Sequence, residues 1–410
     1  MDTLFFNPNK SYVMHIDVNS CFATVEQQAN PFLRGKALVV AAYNSPGGCV
    51  LAASTDAKKL GIKTGMRVKE AKLLCPIVLV LTPDPDKYRF VHLGIRKIVS
   101  YYTNDFSPKS IDEFVLNLEN YPALKNSTMK NIGVEIKNRI KKEIGDYITV
   151  SVGISTNKFL AKAASNLKKP DGLEEINKDN FLEIYSKLKL TDLTGIASHN
   201  EARLNRMGIM TVLDLYNSPI WKIKSAFHSI TGYYWYLRLR GIEIDNAKEV
   251  RRTFGNSYAI PSSNGTLTEL YPILATLVEK TGFRLRRAGY FARGVNVNLF
   301  FKDHTSWQKS QSINQDLFDS RDILTSAISI LNTVPNISPV HTIAVSVFKL
   351  NKKDSIQGDL FQDVYRKRRF TEAVDTVNKN WGSFSLMPAG ILKNEHKILD
   401  RIAFGGVREL

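Results

Sequence analysis

Apolar residues along this chain fall into two patterns: short continuous runs, and longer segments that repeat at helical spacing. The stretch "YVMHIDVNSCF" opens with an apolar run, Tyr12 to Ile16, that predicts a buried strand ending at Asp17. "KALVVAA" predicts a second strand, and Gly47 and Gly48 mark a turn. A basic helical pattern from Thr55 to Leu74 is broken by "GIKTGM". Pro85 to Tyr102 predicts a helix, "SIDEFVLNL" a strand, "MKNIGVEIKNRIKKEI" a helix, "YITVSVGIS" a strand, and "TNKFLAKAASNLKKP" a helix stopped before Pro170. Strands alternate with helices, with a hairpin-like pair about "SIDEF", which predicts one mixed α/β domain.

The polar stretch "DGLEEINKDN" is expected to begin a new unit. From Phe181 to about Gly241 the pattern is helical throughout and predicts a small all-α domain. Beyond it, "RRTFGNSYA", "GVNVNLFF", "WQKSQSIN" and "HTIAVSVFKL" read as strands. "LTELYPILATLVEKTGFRLRRAG" and "SRDILTSAISILNTV" read as helices. The resulting order, β-α-β-β-α-β from roughly Arg251 to Leu350, is a recurring compact motif. A charged tail follows, with "QGDLF" and a last helical piece, "FTEAVDTVNKNW".

Composition narrows the function. A hydrophobic content of 43% supports real cores rather than a disordered chain. No apolar run approaches the roughly 20 residues of a membrane helix, and "MDTLFFNPNK" lacks a cleavable signal pattern. Cys21, Cys49 and Cys75 are too few and too scattered for a disulfide framework or a structural zinc site, which suggests a reducing cytosol. The net charge of +17 gathers in "RLRRAG", "YRKRRF" and "NLKKP", and such surfaces collect polyanions, most often nucleic acid.

"SIDEF" sets two carboxylates, Asp112 and Glu113, side by side in an apolar segment. Burying adjacent like charges is costly unless a cation holds them. Asp17, far upstream, ends another strand candidate. If the two strands are neighbours in one sheet, Asp17, Asp112 and Glu113 converge as hard oxygen ligands suited to Mg²⁺. Two such ions about 3.5–4 Å apart clamp the attacking and leaving oxygens of an in-line phosphoryl transfer. The bland alternative has Asp17 capping a helix and the acidic pair facing water.

The surroundings decide between these. "HIDVNSCFATVEQQANPFLRGKALVV", "SIDEF", "VSVGISTNKFLAKAASNLKKPDG" and "LTGI" resemble, in order and separation, the motifs of the Y-family translesion DNA polymerases of the UmuC/DinB type. The resemblance covers about the first 250 residues well; the final third matches in layout more than in letters. It implies an α/β multidomain right hand: a palm at 1–29 and 83–170, small fingers at 30–82, a helical thumb at 171–242, a β-α-β-β-α-β little finger at 250–351, and a tail at 352–410. The implied function is template-directed, low-fidelity, low-processivity DNA synthesis across damage, by a cytoplasmic monomer.

Carried over position by position, the resemblance makes Asp17, Asp112 and Glu113 the catalytic acids holding two Mg²⁺ ions, with Mn²⁺ able to substitute. Val18 would add only its carbonyl. Phe22 occupies the steric-gate position, where a flat ring leaves no room for a ribose 2′-hydroxyl. Thr55, Lys58 and Lys169 would grip the triphosphate of the incoming deoxynucleotide. Many relatives carry Tyr and Arg at the first two positions, so the grip is expected to differ, since Lys is a point charge where Arg forks onto phosphate. Gly195 and Ala197 flank Ile196 in a hairpin that would aim N–H groups at a primer-template phosphate, with Ala where the pattern usually ends in Gly. Arg284, Arg286, Arg287 and Arg293 would grip DNA from the little finger. Gln357, Leu360 and Phe361 of "QGDLF" resemble the peptide with which bacterial polymerases dock on the sliding clamp.

Rival readings are a nucleotide cyclase or primase, which also place paired acids on a palm-like sheet, and a non-catalytic DNA-binding scaffold. The scaffold has no reason to tolerate clustered like charges.

Overall fold

A computed structural model describes residues 5–246, 251–260, 266–335, 338–352, 364–382 and 384–392. They fall into two compact units, one running to Ala247 and one from Lys248 onward.

The first unit opens with β1 (Val13–Val18) and α1 (Cys21–Ala29), then β2 (Leu38–Ala41), β3 (Val50–Ala53), α2 (Thr55–Lys59), α3 (Val68–Leu74) and β4 (Leu79–Leu81). The chain continues through α4 (Pro85–Ser100), β5 (Phe106–Pro108), β6 (Glu113–Asn117), α5 (Met129–Glu143), β7 (Val150–Ser155), α6 (Lys158–Leu167) and β8 (Leu173–Ile176). Five strands form one sheet in the order β5-β6-β1-β7-β8. A separate small sheet, β3-β2-β4, closes over Val39, Val50, Ala57, Ile62 and Val78.

The large sheet separates its residues by strand alternation. Met14, Ile16 and Val18 of β1 and Phe114 and Leu116 of β6 join one core with Ile95 and Ile98 of α4 and Ile132, Ile136 and Ile140 of α5. The opposite face carries His15, Asp17 and Glu113, and there α6 lies down. A glycine permits that approach: a Cβ on Gly153 of β7 would stand 1.9 Å from the Ala161 carbonyl oxygen and 2.2 Å from the Ser165 nitrogen. "DGLEEINKDN", expected to open the next unit, instead supplies β8, which runs parallel to β7 from the pairing Val152↔Leu173. Its charged residues hid the strand because an edge position leaves their side chains half-exposed.

Five helices follow: α7 (Phe181–Lys187), α8 (Ser198–Arg206), α9 (Val212–Asn217), α10 (Ile220–Phe227) and α11 (Thr231–Leu239). Their core contains Tyr185, Leu204, Leu215, Ile223 and Trp235, and α6 lends it Leu160, Ala163 and Ala164. One helix thus serves both the sheet and the helical unit.

The second unit runs β9 (Thr253–Ala259), α12 (Leu267–Arg287), β10 (Tyr290–Phe301), β11 (Ser306–Leu317), α13 (Ser320–Leu331) and β12 (Val340–Lys352), then α14 (Val364–Trp381). Its sheet has the order β11-β10-β12-β9. Val295, Val297 and Leu299 of β10 pack with Leu270, Leu274 and Leu277 of α12 and Ile323 and Ala327 of α13. The alternate positions are polar: Asn296 bonds Ser310 at 2.8 Å, and Asn298 faces Gln308.

Candidate active site

Antiparallel pairing places Asp17 directly opposite Glu113. The two acids share the face covered by α6, and His15 lies beside them. Ligand atoms of His15, Asp17 and Glu113 all come within 4.8 Å of one another. The Nε2 of His15 is 4.0 Å from Glu113 Oε2, and neither ring nitrogen of this buried histidine has a hydrogen-bond partner within the protein. Burial, with help from Lys162, Lys169 and Lys109, lowers its pKa to about 3, so the imidazole is neutral and its lone pair is available.

Asp17 and Glu113, two of the three carboxylates expected to converge, stand in this cluster. Asp112 is not part of this tight cluster. Asp112 enters β6 from its preceding turn. There it accepts the Ser110 hydroxyl at 2.5 Å, while its own carbonyl accepts the N–H of Val18 at 2.9 Å. It stays electrically coupled to the site: burial raises the carboxyls of Asp17 and Asp112, and Glu113 raises both further. Cys21, at the start of α1, feels the same field, its thiol pushed up by burial and then by Asp112 and Asp17.

Two lysines answer the acids. Lys169 Nζ lies 2.8 Å from Asp17 Oδ2. Lys162 Nζ bridges both oxygens of Glu113, at 2.7 and 2.8 Å. Lys162 and His15 are the site residues that reading the sequence missed. The signal for Lys162 was its place on the predicted helix "TNKFLAKAASNLKKP", seven residues before Lys169. His15 carried its signal in strand period, two residues before Asp17. Lys58 reaches solvent, yet crowding by the protein and then the Lys169 charge lower its pKa, so these two cations stand near each other. Thr55 opens α2, whose cap is the Ser54 hydroxyl accepting from the Ala57 N–H at 3.2 Å.

Phe22 is buried and stacks on Tyr88 of α4, with centroids 4.2 Å apart and planes inclined by 14°. The Tyr88 hydroxyl donates to Glu26 at 2.9 Å, and Lys87 holds the other oxygen of that carboxylate at 2.8 Å. A buried carboxylate is costly unless paired, and here the pairing fixes the ring behind Phe22.

Gly195 has φ +105°, a left-handed conformation that suits glycine. Ile196 is buried between exposed Gly195 and Ala197, and Ala197 caps α8. The Asn200 amide closes the hairpin on the Gly195 carbonyl at 3.0 Å.

Arg284, Arg286 and Arg293 are engaged within the second unit. Arg286 binds Asp375 of α14 at 2.6 and 2.7 Å and donates to the Phe318 carbonyl and the Ser320 hydroxyl. Arg284 donates to the Gly255 carbonyl and to Asn256. Arg293 pairs with Asp316 at 2.6 Å. Arg287 is exposed. Helical periodicity marked their spacing, but only the fold showed which ends meet an acceptor. Gln357, Leu360 and Phe361 lie outside the described residues. No helix among the described residues is long and apolar enough to cross a membrane.

The carboxylates of Asp17 and Glu113, with Asp112 nearby, fit hard divalent cations, and the neutral imidazole of His15 stands beside them. Comparison with known proteins bears on what uses it. Residues 16–166 match the impB/mucB/samB family, and residues 250–360 match that family's C-terminal domain. DNA polymerase IV of Pelotomaculum thermopropionicum is 31% identical over 93% of this chain and 97% of its own. DNA polymerase IV 1 of Bacillus subtilis is 28% identical over 95% of each. A Y-family DNA polymerase chimera of Dbh and Dpo4 superposes with TM-score 0.71 at 23% identity, over 82% of this chain and 98% of its own. An insertion ternary complex of Dbh DNA polymerase gives TM-score 0.56 with the same coverage. A chain with this sheet, these paired acids and full-length kinship of this order belongs to the impB/mucB/samB family, the DinB-type branch of the Y-family DNA polymerases.

Proposed function

We propose that this DNA-directed DNA polymerase of the translesion type extends a primer by two-metal phosphoryl transfer at Asp17, Asp112 and Glu113. The observation that carries the reading is the register of β1 against β6, which sets Asp17 opposite Glu113 with Asp112 at the strand entry. Asp17, Asp112, Glu113 and the Val18 carbonyl would hold two Mg²⁺ ions, or Mn²⁺ in their place. Bound there, the ions would lower the pKa of the primer 3′-hydroxyl and neutralise charge on the triphosphate.

The chain's own groups orient the partners. Lys169 and Lys58 place positive charge where the phosphates arrive, with Thr55 offering a hydroxyl. Lys169 now on Asp17 would exchange a carboxylate for a phosphate oxygen when nucleotide enters. Lys162 holds the Glu113 carboxylate by both oxygens and so fixes its angle. Phe22, braced by Tyr88 and Glu26, sets the floor under the sugar. Gly195 to Ala197 would take the primer-template through its phosphates, without reading sequence, and the second unit would add contacts from Asn296 and Asn298 on its polar sheet face and from Arg287 on α12. Such binding weakens steeply with salt. The reading places the protein in the bacterial cytoplasm as a monomer.

Primer extension with deoxynucleotides tests the reading on undamaged and lesion-bearing templates. Template-matched growth is expected with Mg²⁺ or Mn²⁺ and none with chelator; synthesis that ignores primer or template would return the site to primase or cyclase chemistry.

"QGDLF" follows the last strand of the second unit, and it would dock on the sliding clamp with Leu360 and Phe361 in an apolar pocket and Gln357 at its edge. Removing Leu360 and Phe361 is expected to erase the length gained on clamp-loaded templates while leaving synthesis without clamp unchanged. Equal loss in both assays would mark the segment as structural.

A further inference from the structure

Lys169 sits on the short turn between α6 and β8, and that turn is tied down from a third element. Asp171, two residues on, has φ +59°, a left-handed conformation that Asp tolerates better than most residues. Gly172 follows where a Cβ would stand 1.8 Å from the Lys168 carbonyl oxygen, so the turn is folded tightly on itself. Two lysines one helical turn apart on α5 then close on Asp171. Lys141 Nζ donates to Oδ2 at 2.8 Å. Lys137 Nζ donates to the Asp171 carbonyl and lies 3.2 Å from Oδ1, a contact of charge rather than an aligned hydrogen bond. Lys137 has only 14% of its side chain exposed and is therefore not a lysine free to serve solvent or DNA.

We propose that Lys137, with Lys141, is a positioning residue for nucleotide binding: through Asp171 it fixes the turn that delivers the Lys169 ammonium to the incoming triphosphate. A lysine on a four-carbon stem gains little from its charge if its own backbone wanders, and a fixed origin leaves only the side-chain rotamers to be ordered when phosphate arrives. The Lys169 ammonium already stands 2.8 Å from Asp17, so the clamped turn holds it at the acids before nucleotide is bound. The inference rests on the reading of Lys169 as a triphosphate ligand.

The test is a double-mutant cycle in steady-state single-nucleotide insertion, with thermal midpoints measured alongside. Lys137→Met keeps the aliphatic stem and removes the donor; it is expected to raise the KM for deoxynucleotide about 10-fold with kcat held within about twofold. Asp171→Asn keeps the side chain's size and its tolerance of the left-handed turn, and is expected to act the same way should Lys137→Met fold poorly. In a Lys169→Met background neither change is expected to raise KM further, which a merely structural or long-range charge effect would not reproduce. An unchanged KM in both folded variants, or the same rise with Lys169 already replaced, would overturn the proposal. If Lys169→Met alone left KM unchanged, the reading of Lys169 would fall first and this inference with it.

Discussion

Alanine at position 112 is expected to abolish nucleotide addition, lowering kcat by at least about 10³-fold, or roughly 4 kcal/mol of transition-state stabilisation. The loss should be specific to chemistry. Asp112 is largely buried, and burial holds its carboxyl above the ordinary aspartate range, with Glu113 adding to the rise. A raised carboxyl means that the fold disfavours the charged form. The group's contribution to stability is thus full only at acid pH and is lost as pH rises through the raised value. At neutral pH, Asp112→Ala removes a charge that the fold opposes and loses one hydrogen bond from Ser110. The thermal midpoint is expected to stay near that of the parent chain, and primer-template binding, read by anisotropy, to be retained. Residual extension within tenfold of the parent would break the two-metal reading, whereas simultaneous loss of DNA binding would assign Asp112 to architecture.

Replacing Phe22 with Ala is expected to carry the second largest effect, on sugar choice. A 2′-hydroxyl forced against a packed ring costs on the order of 1–3 kcal/mol, so removing the ring should raise ribonucleotide relative to deoxynucleotide insertion about 10- to 100-fold. Phe22 is only 2% exposed and packs on Tyr88, so truncation also opens a cavity worth about 3–5 kcal/mol. Phe22→Leu separates the two effects, because it fills most of the cavity while shortening the wall beneath the sugar. Both variants should show relaxed sugar choice in single-nucleotide insertion, and only the alanine should show a markedly lower thermal midpoint. Unchanged discrimination in both would mean that Phe22 is an ordinary core residue.

The structure assigns the brace behind that ring to residues that looked unremarkable as letters. Glu26 lies on α1 and Tyr88 on α4, far apart in the chain, and each alone reads as a common residue of a helix surface. Packing of α1 on α4 makes them a buried acid–phenol pair, with Lys87 as the counter-charge.

The sequence by itself determined the alternation of elements, the β-α-β-β-α-β order and the basic character, because period and composition are local properties that one chain carries openly. It also determined the family, through four motifs in order, and with it the expectation that Asp17 meets the acidic pair. It placed Asp171 only in a polar stretch expected to begin a new unit.

Tertiary structure alone decided which groups touch. Pairing of β1 with β6 set Glu113 opposite Asp17 and left Asp112 in the turn before the strand, where it takes the Ser110 hydroxyl, an arrangement the dipeptide could not announce. Gly153 let α6 lie close enough to the sheet for Lys162 to reach Glu113. The second unit's arginines were legible as charge, but their partners, Asp375, Asp316 and the Gly255 carbonyl, come from other elements. Edge pairing made β8 a strand despite its charges. The physical reason is common to all of these: period and propensity act over a few residues, whereas contacts between distant residues exist only once sheets and helices have packed and fixed which side chains share a face.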